Sequence, residues 1–161
     1  MEVVAVKAAV SLRDIVNELE MLSEEHTVFL NKRTGELIAL SGEELSAAEE
    51  GADLADFPEW QQALIVKARE VAESDDYLHL PTKFDINEYK IMEDFCCSIK
   101  DETISDTLLR AIKGSGAFGR FKDRIRFLGI EEDWYRFREK ALEAIAIAWL
   151  EENRIVYTRD G

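Results

Sequence analysis

The stretch that decides the fold class is HTVFLNKRTGELIAL, residues 26–40. It holds two short runs rich in strand-forming residues, 26–31 and 36–40, joined by Lys-Arg-Thr-Gly. Gly35 at the end of this connection can take the positive φ that a tight turn requires. We therefore predict a β-hairpin here, in a chain whose other regular segments are mostly helical.

Helices are predicted around the hairpin from apolar residues that recur every three or four positions. The predicted segments are 11–22, 56–73, 85–99, 104–112, 118–128 and 132–152, and Ser41 or Gly42 is a candidate start for one further short helix. Short strands are predicted at 3–7, 77–80 and 155–158. Pro81 restricts the second of these to an edge or an exit, because proline cannot donate a ladder hydrogen bond.

Residue spacing also predicts which side chains are buried and which cap a helix. Trp60 and Phe118 each belong to the predicted buried stripe of their helix. Asp85 and Glu88 have the spacing of a reciprocal helix cap. Residues 141–150 are apolar nearly all round, which predicts that this half of the last helix runs through the middle of the core.

The length bounds the number of domains. A chain of 161 residues can bury one sizeable core but not comfortably two. We predict an α+β fold, a mainly helical single domain with a small N-terminal β-hairpin or sheet and five to six helices. The hairpin-containing part covers about 1–56 and the helical part about 57–161, with one shared core.

The charge of the chain is large and segregated. There are 34 acidic and 20 basic side chains, a formal charge of −14, and this field repels nucleic acid and anionic membranes. Residues 1–60 carry 14 acidic and 4 basic side chains, whereas 110–126 carry six basic residues and Asp123 as the one acid. Any anionic partner must therefore be bound locally, at this basic segment.

Neither a membrane span nor a metal site is expected. The longest apolar run, 141–150, contains a glutamate and is too short for a bilayer, and the first twenty residues do not resemble a secretory signal. We expect a cytoplasmic protein. Cys96 and Cys97 are adjacent in a predicted helix, where a disulfide would be strained, so we expect them reduced. With only His26 and His79 besides, zinc ligands lack usable spacing.

Gly114, Gly116 and Gly119 match the spacing of the dinucleotide fingerprint. That fingerprint needs a strand before its first glycine, whereas 104–113 has helical periodicity, so we predict no NAD, FAD or other cofactor. A glycine turn that opens a helix still exposes backbone N–H groups at the positive end of the helix dipole, with Lys113 nearby. It is a candidate site for a phosphate or carboxylate. The alternative is a plain helix–helix turn, with the basic residues on a solvated face or paired with the acidic segment.

The basic segment 110–126 also raises weak nucleic-acid binding as an alternative. Arg120 and Arg124 share a helical face, but the basic residues alternate with Phe121 and Ile125 and cannot all lie together. A continuous patch would need further basic residues from 136–140.

An unrecognised hydrolase or transferase is a further alternative. His79 lies near Asp75 and Asp76 in the sequence, and a carboxylate can orient an imidazole for general-base catalysis. The acidic run 43–56 lacks the alternating ligands and central glycine of a calcium loop. No pattern in the chain is specific for catalysis, which favours a non-catalytic protein.

Two motifs identify a family resemblance. They are GAFGRFKD at 116–123 and WYRFR at 134–138, followed by a hydrophobic helix that carries a tryptophan. With Leu-Pro at 80–81 and Met-Glu-Asp-Phe at 92–95, the chain resembles an uncharacterised bacterial protein family of unknown function, UPF0158, over nearly its whole length. The position of Gly119 is often basic in that family, so the positive patch is thinner here. The resemblance implies an intracellular bacterial protein and supplies no activity.

These observations favour a non-catalytic binding or regulatory module. Its predicted contact surface is the helix start at 114–124 together with the helix start at 134–138, and its expected partner is a protein or a small anionic ligand. The candidate binding residues are Lys113, Gly114, Ser115, Gly116, Arg120, Lys122, Arg124, Trp134 and Arg138.

Overall fold

The computed structural model describes residues 10–159. Its helices are α1 (Leu12–Glu20), α2 (Gly42–Glu50), α3 (Glu59–Glu73), α4 (Glu88–Ser98), α5 (Glu102–Ala111), α6 (Ala117–Leu128) and α7 (Glu131–Glu152), with a 3₁₀ turn at Leu54–Asp56. Its strands are β1 (Val10–Ser11), β2 (His26–Asn31), β3 (Leu37–Ser41), β4 (Tyr77–His79) and β5 (Tyr157–Thr158). The strand predicted at 3–7 lies outside the described residues. The mainly helical α+β fold is confirmed, with seven α-helices between residues 10 and 159 because α2 forms as a helix of nine residues.

The predicted hairpin lies in the first of two compact units, which includes residues 10–85 and 145–159. β2 pairs antiparallel with β3 on one side and with β4 on the other, so the strand order is β3-β2-β4. Phe29 lies opposite Ile38 on one neighbouring strand and His79 on the other. The short strand before Pro81 is therefore an edge strand, as predicted.

The hairpin turn is closed by a side chain. Asn31 Oδ1 accepts hydrogen bonds from the backbone N–H groups of Arg33 at 2.9 Å and Thr34 at 3.1 Å. Gly35 follows in the left-handed region, with φ 81°. An Asx turn followed by a glycine is typical of a short hairpin connection, so local residues are enough to predict this turn.

Within residues 10–159, the first unit also contains a small pair of parallel strands. Val10 of β1 lies opposite Tyr157 of β5, so the predicted C-terminal strand is confirmed. Ser11 then caps α1, because its hydroxyl accepts the N–H of Asp14 at 3.3 Å. The predicted apolar stripe of α1 is buried along its length, at Leu12, Ile15, Val16 and Leu19.

One face of the three-stranded sheet packs against α2 and α3. Leu40 of β3 is fully buried there with Ala68 and Val71 of α3, and Phe29 and Ile38 from the same face of the sheet pack around them. The alternation of side chains along each strand is what directs these residues to one side.

Helix α2 begins with a reciprocal cap. Ser41 Oγ accepts the N–H of Glu44 at 3.2 Å, and Glu44 Oε1 accepts the N–H of Ser41 at 3.0 Å. The other carboxylate oxygen of Glu44 accepts from Gln61 Nε2 at 3.0 Å. Gly51 ends the helix in the left-handed region. Glu44 thus caps its own helix and joins it to α3.

The prediction that Trp60 is buried is wrong. The buried face of α3 contains Gln61, Ile65, Ala68 and Val71. The hydrogen bond between Gln61 and Glu44 turns that face inward, and Trp60, one residue earlier and about 100° around the helix, is 68% exposed.

The second compact unit, residues 86–144, is helical with an aromatic centre. Phe95 of α4 makes edge-on contacts with Phe121 of α6 and with Trp134 and Phe137 of α7, at ring-centroid distances of 5.9, 5.4 and 5.4 Å. Phe121 and Trp134 are 4.9 Å apart. Edge-to-face pairs stabilise a core by roughly 0.5–1.5 kcal/mol each beyond burial. They hold α4, α6 and the start of α7 together.

Two further burial predictions are wrong. Phe118 is exposed because α6 buries Ala117, Phe121 and Ile125, a stripe that leaves Phe118 to one side. In α7 the buried residues of 141–150 are Leu142, Ala146 and Leu150, while Ala144 and Ala148 are exposed. That half of α7 therefore buries one face, and its exposed alanines carry too little apolar surface to need cover.

The helix cap predicted at Asp85 is also wrong. Asn87 caps α4, with Oδ1 accepting the N–H of Lys90 at 3.0 Å. Asp85 instead accepts from the backbone N–H and the hydroxyl of Thr82, at 2.8 and 3.0 Å, and these bonds lower its pKa. Glu88, the expected partner of Asp85, pairs with an arginine of α7.

Candidate binding cleft between helices α5 and α6

The glycine turn connects two helices. α5 ends at Ala111, Gly114 and Gly116 follow with φ 79° and 77°, and α6 begins at Ala117 with no side-chain cap. The segment before the first glycine is helical, so the strand required by the dinucleotide fingerprint is not there. Gly119 lies inside α6 and has no positive φ.

Arg120 spans this turn. Its guanidinium donates to three backbone carbonyls: Nε to Ala111 at 2.7 Å, Nη2 to Lys113 at 2.6 Å and Nη1 to Ser115 at 2.6 Å. These carbonyls belong to the end of α5 and to the turn, where helical partners have run out. The guanidinium therefore completes the backbone hydrogen bonding of the turn. The side chains of Lys113 and Ser115 are exposed.

A cleft of about 740 Å³ opens between α5 and α6, and we call it the α5–α6 cleft. Its lining residues lie one helical turn apart on facing sides of the two helices. They are Thr107, Arg110 and Ala111 of α5 and Arg120, Asp123, Arg124 and Phe127 of α6.

The cleft has cationic groups without acidic partners. Arg124 makes no ion pair or side-chain hydrogen bond within residues 10–159. Arg110 has a single long contact, from Nε to the carbonyl of Asp106 at 3.4 Å. Asp123 is the one carboxylate among the lining residues. With Arg120, the lining carries three guanidinium groups against one carboxylate, so the cleft is locally positive in an acidic protein.

Phe127 adds an apolar group at the cleft and is 83% exposed. It was not among the residues predicted to bind, although its position carried a signal. A large apolar residue that falls off the stripe formed by Ala117, Phe121 and Ile125 has no place in the core of its own unit.

The other basic residues of the segment face elsewhere. Lys122 lies about 160–200° around α6 from Arg120 and Arg124 and is exposed. Arg126, one turn beyond Lys122, pairs with Glu131 at 3.5 Å. The basic segment is therefore divided between two sides of the helix and does not form one continuous patch.

The two predicted contact residues of α7 are engaged inside the second unit. Trp134 is 4% exposed and belongs to the aromatic centre. Arg138 binds Glu88 with both nitrogens, at 2.6 and 3.2 Å, in a half-buried ion pair.

His79 and Asp76, which were considered for catalysis, each contact another group in the structure. His79 is on the exposed edge strand β4, with Nδ1 at 3.0 Å from the carbonyl of Leu80. Asp76, beside it in the sequence, pairs with Arg33 at 3.5 Å. Burial raises the pKa of the Cys96 thiol to about 11, while Cys97 is exposed. Within residues 10–159 no three metal-binding side chains are grouped closely enough to hold an ion.

The model of an uncharacterised protein family, UPF0158, matches residues 9–160. The chain belongs to this family, and the resemblance carried by the two motifs is confirmed. A comparison with curated proteins and with solved structures found no similar protein. None of the helices in the described part of the chain is long and apolar enough to cross a membrane.

Proposed function

We propose that this chain is an intracellular bacterial binding module, without catalytic activity, that contacts an acidic segment of a protein through the α5–α6 cleft. One observation carries the proposal: Arg110 and Arg124 present guanidinium groups without acidic partners beside the exposed ring of Phe127. Arginine and aromatic side chains are enriched where protein interfaces concentrate their binding energy.

The different contacts of the three arginines in the cleft support this proposal. Arg120 is occupied by the carbonyls of the glycine turn and shapes the wall of the cleft. Arg110 of α5 and Arg124 of α6 also line the cleft, have no acidic partner within residues 10–159, and can bind carboxylates, which a guanidinium holds through two parallel hydrogen bonds. The proposed contact therefore consists of Arg110, Arg124 and Phe127, and it leaves out the engaged residues Trp134 and Arg138.

A protein partner fits this surface better than a nucleic acid. A nucleic-acid backbone is held by several phosphate contacts in a row, and the two basic sides of α6 cannot follow one backbone together. The field of the −14 charge repels a densely charged polymer more strongly than a segment with a few carboxylates. The apolar ring of Phe127 also favours a partner that brings apolar surface of its own.

Photo-crosslinking in the host cell tests the proposal. Phe127 is replaced by p-benzoylphenylalanine in the full chain, and Lys122 carries the same group in a matched control on the other side of α6. We expect ultraviolet-dependent protein adducts from position 127 that survive nuclease treatment and are absent from position 122. Reversing both charges with Arg110→Glu and Arg124→Glu should remove the adducts from position 127.

Three results would overturn the proposal. They are equal adduct yields from the two positions, adducts that nuclease digests, and adducts that persist undiminished when both arginines are reversed. Circular dichroism of each variant establishes that the fold is retained, which separates loss of contact from loss of structure.

A further inference from the structure

A second exposed aromatic residue lies in an acidic setting. Trp60 is 68% exposed at the first turn of α3, and Asp53, Asp56 and Glu59 just before it are exposed as well. We call these four residues the Trp60 patch. Within residues 10–159 none of the three carboxylates forms an ion pair. Arg69 reaches this part of the chain through the carbonyl of Ala52, at 2.5 Å.

The Trp60 patch carries charge opposite in sign to the net charge of the α5–α6 cleft. The cleft is lined by guanidinium groups and the exposed Phe127, and the patch has exposed carboxylates in the seven residues before the exposed Trp60. Carboxylates pair with guanidinium groups, and a guanidinium such as that of Arg124 stacks favourably on an indole face. Covering Trp60 and Phe127 would also remove two large apolar side chains from water.

Because each chain carries both an acidic patch and a basic cleft, a second copy of the chain can supply the acidic partner of the cleft. The acidic patch belongs to the first compact unit and the cleft to the second, and each copy carries one of each. Residues 1–60 hold 14 acidic side chains against 4 basic ones, while 110–126 reverse that balance. A contact between unlike surfaces of identical chains is heterologous, so it builds a ring or a growing chain of copies.

We propose that the α5–α6 cleft of one copy binds the Trp60 patch of a second copy. This inference rests on the proposed function, because it names the partner of the same cleft.

Sedimentation of the full chain over low-micromolar to near-millimolar concentrations tests the inference. Wild-type protein should gain mass with concentration. Arg124→Glu impairs the cleft and leaves the patch intact, whereas Trp60→Ala impairs the patch and leaves the cleft intact. Each variant alone should remain monomeric. An equimolar mixture should form a one-to-one dimer and nothing larger, because it contains one working cleft and one working patch.

Lys122→Glu is the matched control, since it makes the same charge change on the other side of α6 and should associate like the wild type. A wild-type protein that stays monomeric, variants that associate normally, or a mixture that fails to dimerise would overturn the inference. If wild type is monomeric while position 127 still crosslinks to another protein in an arginine-dependent way, only the identity of the partner is wrong. If the crosslinks also fail, both this inference and the proposed function are wrong.

Discussion

Arg120, a charged residue of the basic segment, uses its guanidinium to bind backbone carbonyls. The final carbonyls of α5 have no helical N–H partners, and the negative end of a helix dipole attracts a cation. Arg120 belongs to the following helix, yet its fork reaches the carbonyls of Ala111, Lys113 and Ser115. Its role is set by hydrogen bonds that span five to nine residues.

Arg120→Ala should lower the free energy of unfolding by about 1–2 kcal/mol, because three charge-assisted hydrogen bonds at a partly solvated turn are lost. Arg120→Lys should recover only part of this, since an ammonium group cannot reproduce the planar fork. Urea denaturation followed by circular dichroism measures both. Arg124→Ala, which removes a side chain without a partner in residues 10–159, is the control and should change stability by less than about 0.5 kcal/mol. Equal losses for Arg120→Ala and Arg124→Ala would contradict the role given to Arg120.

At the scale of elements, the glycine turn separates glycines that the backbone requires from one that it does not. Gly116 has φ 77°, and a Cβ there would lie 3.1 Å from Arg120 Nη1. Gly119 lies within α6, and a Cβ there would meet no atom within 4 Å. Gly114 and Gly116 of the apparent fingerprint are therefore required by their positive φ, whereas Gly119 is not.

Gly116→Ala should destabilise the protein by about 1–2 kcal/mol, the usual cost of a left-handed residue with a side chain. Gly119→Ala should stabilise it by about 0.5–1 kcal/mol, because alanine has the higher helix propensity. Thermal and urea unfolding of the two variants provide the comparison. A Gly119→Ala variant that is less stable than wild type would show that this position needs glycine for a reason absent from the described geometry.

The cap of α2 makes stability depend on pH. Burial opposes ionisation of Glu44, but hydrogen bonds from Ser41 and Gln61 favour the carboxylate, and its pKa lies below the ordinary value of 4.5. A group whose pKa is lowered on folding stabilises the protein above its unfolded pKa, and this contribution disappears as the pH falls through its folded pKa.

Glu44→Gln should therefore cost about 1 kcal/mol near neutral pH and progressively less below pH 4.5, where wild type loses the same contribution. The measurement is the free energy of unfolding in urea between pH 7 and about pH 3. Glu43→Gln, at an exposed position of the same helical turn, is the control. A Glu44→Gln deficit that is constant over this range would rule out the cap carboxylate as the source.

At the scale of the whole molecule, the chain passes twice between its two compact units. Residues 10–85 and 145–159 belong to one unit and 86–144 to the other, and α7 continues across the boundary at 144. If the two units share a single core, as expected from the length, they should unfold together. We expect a helix that continues through both units to couple their unfolding, because helical hydrogen bonds form and break cooperatively along its length.

We expect one unfolding transition for both units. Trp134 reports on the second unit in a variant that carries Trp60→Phe and Trp149→Phe, while far-ultraviolet circular dichroism reports on all helices. The two signals should have the same midpoint in urea, as a two-state transition requires. Midpoints that differ beyond experimental error would show two domains that unfold separately.

Local patterns predicted most of the elements. The hairpin turn needs Asn31 and Gly35 a few residues apart, and α1 needs only its own apolar stripe and Ser11. Such features depend only on residues that are close together in the sequence. The exposed Trp60 was missed because it depends on a distant contact: Gln61 bonds Glu44, 17 residues away. The cap at Asn87 is local, and it was missed because Asp85 and Glu88 also have the spacing of a cap, whereas Asp85 bonds back to Thr82.

The candidate site was predicted only in part. The segment and two arginines of the cleft, Arg120 and Arg124, were named from charge and spacing, but Phe127 was not, and Trp134 is buried. Helical spacing places residues around an axis, yet it leaves open which side meets a neighbour. That choice comes from the packing of α5 and α6 and from the aromatic centre of the second unit.

By itself, the sequence determined the fold class, the family and the segregation of charge, because periodicity, motif and composition are properties of the chain. The tertiary structure decided which basic groups are available. Arg138 is bound to Glu88 across 50 residues and Arg120 to carbonyls of the preceding turn, whereas Arg110 and Arg124 line an open cleft. Electrostatic and hydrogen-bond partners are chosen by distance in space, and that distance exists only once the chain has folded.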